Sequence, residues 1–116
     1  MLHHLTMQNV RGVASNMGGI MAEIVFNFPE TKFSQTNTPE QQIHHLRTEL
    51  DEATYEFVFD NIPLAIMECL DAVHSAETLL RIVLREYGEE KVLKGMKLVI
   101  KKNDERNYYL SQTKGE

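Results

Sequence analysis

The stretch TPEQQIHHLRTELDEATYEFVFDNIPLAIMECLDAVHSAETLLRIVLREYG, residues 38–88, decides the fold. Thr38 is placed to cap a helix, Pro39 suits its first position, and Gln41 completes a capping box. From there Ile43, Leu46, Leu50, Ala53 and Phe57 recur at helical spacing and make one apolar stripe. Asp60-Asn61-Ile62-Pro63 breaks the pattern, and Pro63 again suits a helix start. The next helix, about Leu64 to Glu86, is apolar on most of its circumference, with a polar strip through His74, Glu77, Thr78 and Arg81. A helix that apolar is central in a bundle or pressed against a second subunit. So short a break between two long helices predicts an antiparallel hairpin.

Working outward, Gly88 is a plausible helix stop, and a last helix over about Glu89 to Lys102 carries Val92, Leu93, Met96, Val99 and Ile100 on one face. Before the hairpin, residues 20–28 are apolar enough to predict a helix ending near Pro29, and residues 33–37 read as loop. Residues 1–17 read as an arm or weak helix, interrupted at Gly18-Gly19, residues 18–110 as one helical domain, and residues 111–116 as a tail. The expected class is all-α: a helical bundle around a central hairpin. Three or four short helices cannot bury that central helix, so a homodimer or homotetramer is expected to complete the bundle.

Composition narrows the function classes. The apolar runs of this 116-residue chain are far too short to span a bilayer, which argues against a membrane protein, and the start shows no signal peptide. Cys69 is the lone cysteine and reads as core; with no internal disulfide, a cytoplasmic, reducing compartment fits. A net charge of −5 argues against a nucleic-acid binder held by phosphate contacts.

That charge is unevenly spread. Between Thr48 and Leu80 stand eight acidic residues and no Lys or Arg, whereas Arg81 to Arg106 holds eight basic residues against five acids. Within the acidic stretch, Glu49 and Glu52 form one i, i+3 pair and Glu68 and Asp71 another, so each pair projects from one helix face. Both pairs lie roughly ten residues from the turn, about 15 Å along their helices, and an antiparallel hairpin sets them at matching height. Bundles build metal sites from inward carboxylates on facing helices, and a hard cation such as Mg²⁺ takes oxygen ligands and brings phosphates with it. Glu49, Glu52, Glu68 and Asp71 are therefore candidate ligands for Mg²⁺, with Mn²⁺ as a substitute. His45 and His74 are close enough in sequence to reach the same place. A di-iron bundle would need two Glu-x-x-His pairs, which the chain lacks.

Glu49-x-x-Glu52, a spacer of fifteen residues and Glu68-x-x-Asp71 together resemble the ExxE…ExxD signature of the MazG-like all-α nucleoside triphosphate pyrophosphohydrolases. The lead-in from His45 through Glu52 is similar to the HL-x-x-E opening of phage and bacterial members. Lys102-Asn103-Asp104-Glu105-Arg106-Asn107-Tyr108-Tyr109 resembles their KN-x-x-RGYY segment, with Asn107 where the group has Gly. The match covers about residues 33–109. The resemblance implies Mg²⁺-dependent hydrolysis of a nucleoside triphosphate to monophosphate and pyrophosphate, in nucleotide-pool cleaning. It implies Glu49 or Glu52 as the base for the attacking water, and Lys102, Asn103, Arg106 and Tyr108 as substrate contacts. Two other readings stay open. Glu68-x-x-Asp71-x-x-His74 is also similar to the central helix of phosphoribosyl-ATP pyrophosphohydrolase. Alternatively, the chain is a non-catalytic helical dimerisation module whose acids form a solvated face.

Overall fold

The computed structural model describes residues 15–17, 20–22 and 24–111, with side chains from residue 24 onward. The arm expected over residues 1–17 and the tail over 111–116 therefore lie largely outside the described residues. The architecture is all-α, as expected. Four helices are described: α1 Phe33–Thr36, α2 Pro39–Val58, α3 Ile62–Tyr87 and α4 Glu89–Glu105. A short antiparallel ribbon precedes them, β1 Ser15–Met17 with β2 Ile20–Ala22, in which Met17 faces Ile20 and Ser15 faces Ala22.

The start of α2 follows its local chemistry. Thr38 Oγ1 accepts the Gln41 N–H at 3.1 Å, and the Gln41 side chain accepts the Thr38 N–H at 2.9 Å. The break falls at residues 59–61, where Asp60 adopts φ 58°, a conformation that Asp tolerates better than most residues. Helix α3 then starts at Ile62 with Pro63 in its first turn.

Helices α2 and α3 make the most extensive packing in the fold. Their register is antiparallel. Gln42 bonds to Ser75, and Glu49, seven residues up α2, meets Glu68, seven residues down α3. Ala72 between these two levels, and Ala53 and Ala65 between the Glu49–Glu68 level and the turn, are buried, and such small side chains let the two helix axes approach closely. Gln42, 1% exposed, ties the open end of the hairpin. Its amide nitrogen donates to Ser75 Oγ at 2.8 Å and to the Ser75 carbonyl at 3.2 Å, and its oxygen accepts from Asn37 at 2.8 Å. Gln42→Leu should therefore lower unfolding stability by about 1–3 kcal/mol, because it strands buried polar partners. Urea unfolding would read this as a lower midpoint with an unchanged slope.

Three sequence expectations are corrected. Residues 20–28 are not a helix: Ile20–Ala22 is strand, and residues 24–30 run as a non-helical strap. The strap's backbone groups are satisfied by α3 rather than by a helical ladder. Glu77 accepts the N–H groups of Asn27 and Phe28, Arg81 donates to the Phe28 carbonyl, and His74 meets the Pro29 carbonyl. Residues 33–36 form one helical turn instead of loop, with Ser34 fully buried and bonded to Glu30 and to the Thr31 carbonyl. Cys69 is exposed, not core, because its face of α3 carries the uncovered apolar residues described next.

Among the described residues, the buried apolar ones are few: Ile24, Ala53, Ala65, Ala72 and Ile82. Ile43, Leu50 and Phe57 on α2, and Ile62, Ile66, Leu70 and Val73 on α3, are all more than a third exposed. At 100° per residue in an antiparallel pair, these stripes fall on the same side of the hairpin, opposite Glu52 and Asp71. At Gly88, φ 92°, the chain turns into α4, which touches α3 sparsely and leaves Leu98, Val99 and Ile100 exposed. No described helix is long and apolar enough to cross a membrane.

Candidate metal centre

At the level where Glu49 faces Glu68, the hairpin concentrates carboxylates. Glu49, Glu68 and Asp71 each offer an oxygen, and these atoms all lie within 4.8 Å of one another. Two oxygens on opposite sides of a Mg²⁺ ion bound at 2.0–2.1 Å are about 4.1 Å apart. Neighbouring oxygens on such an ion are only about 2.9 Å apart, so the three side chains would have to draw together to close on it.

The polar atoms around the cluster are incompletely satisfied. Glu49 Oε2 meets His45 Nε2 at 3.2 Å, but Glu49 Oε1 is buried without a hydrogen-bond partner. Glu68 Oε1 is in the same condition. A buried carboxylate oxygen with no donor is costly, and a cation is the group that would satisfy two of them together. The donor set, three carboxylates with an imidazole bonded behind one of them, suits a hard divalent ion.

Electrostatics point the same way. Burial, and then the negative charge of Glu52, Glu49 and Asp71, hold the Glu68 carboxyl above the usual carboxylate range. A raised acid supports folding below its ordinary pKa, and that support is lost as pH rises through the raised value. In chelator, Glu68→Gln should therefore unfold at a higher temperature than the parent chain at neutral pH. The two midpoints should converge in mild acid, and added Mg²⁺ should raise the midpoint of the parent alone.

The cluster separates two depressions on the acidic side of the hairpin. One, of about 350 Å³, is bounded by Glu52 and Glu68 with Asp51, Tyr55 and Glu56. The other, of about 210 Å³, has Glu49 and Asp71 on one wall and Thr31, Phe33, His45 and His74 around it. Neither is lined by Lys or Arg.

The structure thus brings three of the four expected ligands into one group and sets Glu52 beside Glu68. His45 reaches Glu49, as its position in sequence suggested. His74 borders the smaller depression but is stacked on Phe28 with centroids 4.6 Å apart, and its Nε2 meets the Pro29 carbonyl. Lys102, Asn103, Arg106 and Tyr108 sit at the end of α4, and none of them borders either depression. Asn107 takes φ 61°, the left-handed conformation a glycine would supply, so the turn after α4 forms without one. Thr31 and Phe33 were not foreseen from sequence, since Thr31 ends the strap and Phe33 opens a helix of one turn, too short for any periodicity to mark. Comparison with known families, curated proteins and solved structures finds no match for the chain.

Proposed function

We propose that this chain is a Mg²⁺-dependent nucleoside triphosphate pyrophosphohydrolase that works as a homo-oligomer. The observation that carries the reading is the pair of buried, unpartnered oxygens on Glu49 and Glu68, inside a three-carboxylate group on facing helices. Glu49, Glu68 and Asp71 would hold the ion. When bound, Mg²⁺ would neutralise phosphate oxygens and offset charge growing on the departing pyrophosphate.

Glu52 stands outside the three-residue group yet beside Glu68, which leaves it the carboxylate to orient and deprotonate the attacking water. Water adds at the α-phosphorus, the bond to the bridging oxygen of the β-phosphate breaks, and monophosphate and pyrophosphate leave. The acidic walls would repel a triphosphate without a cation. Since no basic residue lines either depression, the grip of Lys102 and Arg106 on phosphate is assigned to another copy of the chain. Arg would contribute a two-pronged contact and Lys a point charge.

Purified protein incubated with Mg²⁺ and the common ribo- and deoxyribonucleoside triphosphates should release pyrophosphate and monophosphate. Release of orthophosphate and diphosphate would contradict the reading. Turnover of phosphoribosyl-ATP alone would move the assignment to that relative. His74, the residue that suggests the rival, is engaged by the strap, which favours the triphosphate reading. A chain showing no saturable Mg²⁺ binding and no turnover would be the non-catalytic module.

A further inference from the structure

The larger depression holds a feature that the metal account does not use. Tyr55 forms part of its wall beside Glu52 and Glu68, and it is open to solvent, 60% exposed. Phe59, 65% exposed, meets it with ring centroids 4.6 Å apart and a tilt of 47°. The two follow Glu52 by three and seven positions, so they stand on its side of α2. The apolar stripe through Ile43, Leu50 and Phe57 runs along the other side of that helix. A second hairpin laid on the stripe would leave both rings uncovered, so assembly through that face does not account for them.

Size and aromatic surface favour this depression over its neighbour as the seat of a flat ring. Ligand pockets begin near 300 Å³, and this one holds about 350 Å³ against about 210 Å³ for the other. In the smaller depression the Phe33 ring is tilted against His45 at 5.6 Å between centroids, so it is already engaged. The charged walls of the larger one are Asp51, Glu52, Glu56 and Glu68, which repel phosphate and suit a neutral ring. A nucleobase is such a ring, and every base has a face that can stack on an exposed aromatic side chain.

The same walls choose among bases. A carboxylate accepts hydrogen bonds and has none to donate. Cytosine, adenine and guanine each carry an exocyclic amine, which can donate to a carboxylate as the cytosine amine does in nucleic-acid recognition. Uracil and thymine carry no such amine, and a ring carbonyl turned to the same wall sets acceptor against acceptor. Glu56 is the acid best placed to read this edge: it adjoins Tyr55, lines the same depression and is half-buried, whereas Asp51 is exposed.

We propose that Tyr55 is the stacking surface for the base of the nucleotide and that Glu56 is a specificity-determining residue selecting bases with an exocyclic amine. Phe59 braces the Tyr55 ring. This rests on the triphosphate pyrophosphohydrolase reading and adds to it the part of the site that chooses among substrates. A base without the amine leaves the Glu56 carboxylate partnerless and desolvated, which is how a polar site discriminates.

The test compares the parent chain with Tyr55→Ala, Tyr55→Phe and Glu56→Gln. kcat and KM for pyrophosphate release are measured on adenosine, guanosine, cytidine, uridine and thymidine triphosphates, and Mn²⁺ affinity by calorimetry. The parent should favour the amine-bearing triphosphates over those of uridine and thymidine by about tenfold or more in kcat/KM. Tyr55→Ala should raise KM on every triphosphate by about tenfold, and Tyr55→Phe, which keeps the ring, should restore it. Glu56→Gln gains a donor and should shrink the preference for the amine. Mn²⁺ affinity should stay close to that of the parent, because neither residue belongs to the group of Glu49, Glu68 and Asp71. Four results would each overturn the proposal and leave the hydrolase reading standing: a parent indifferent to the amine, a Tyr55→Ala variant with unchanged KM, a Tyr55→Phe variant that behaves like Tyr55→Ala, or a Glu56→Gln variant with the ranking of the parent. A parent chain that releases pyrophosphate from none of the triphosphates would overturn both.

Discussion

Asp71→Asn should lower pyrophosphate release by on the order of 10²–10³-fold while leaving the protein folded. The change removes one negative oxygen donor from a group of three and preserves the volume of the side chain. Asp71 is exposed on α3 and lies outside the set of buried residues that joins α3 to α2, so the hairpin keeps its packing. Circular dichroism should be unchanged, while the Mg²⁺-induced rise in unfolding temperature should disappear. Glu52→Gln should divide these effects differently. If Glu52 is the base, turnover falls by a similar factor, yet Mn²⁺ still binds, because the group of Glu49, Glu68 and Asp71 is intact. Loss of turnover with binding retained in one variant, and loss of both in the other, would separate the base from the ligands.

The second large effect concerns assembly. Ile66→Asp together with Leu70→Asp should turn an oligomer into monomers at micromolar concentration. Ile66 is 53% exposed and Leu70 49% in the single chain, and both lie in the apolar stripes that share one side of the hairpin. A contiguous apolar face of this kind marks an interaction site, and a second hairpin laid against it would complete a four-helix arrangement. Completing the burial of a half-exposed aliphatic side chain contributes about 1 kcal/mol, and an unpaired carboxylate in its place must be desolvated. In a two-fold dimer each substitution counts twice. A loss of at least about 3 kcal/mol, or a hundredfold in dissociation constant, follows. Sedimentation equilibrium would show it as a halved or quartered mass. The unfolding midpoint of the parent should rise with protein concentration, and that of the variant should not.

The parts legible in the sequence were those written in repeating patterns. The capping box at Thr38 and Gln41, the heptad-like stripe from Ile43 to Phe57 and the break before Pro63 each report a local energy; the capping box appears at the expected residues, and the helix after the break begins at Ile62, two residues before its expected start. Matched depth of the two acid pairs followed from chain length alone, since the rise per residue is fixed. The strap was illegible for an opposite reason. Residues 24–30 have no internal hydrogen-bonding scheme to advertise, and their conformation is dictated by Glu77, Arg81 and His74, some fifty residues away. An apolar run such as Ile24-Val25-Phe26 is equally consistent with helix, strand or strap until its partner is known. The polar strip on α3 was visible, but only as a strip; its use as an anchor needed the fold. Exposure of Cys69 was hidden likewise, because which side of an almost wholly apolar helix stays open depends on what packs against it.

Diffraction at the manganese edge from crystals grown with Mn²⁺ addresses the cation directly. An anomalous peak bounded by Glu49, Glu68 and Asp71, and lost in crystals of Asp71→Asn, is the expected result. Crystals saturated with Mn²⁺ in which these carboxylates hold no peak, or hold only water, would contradict the account.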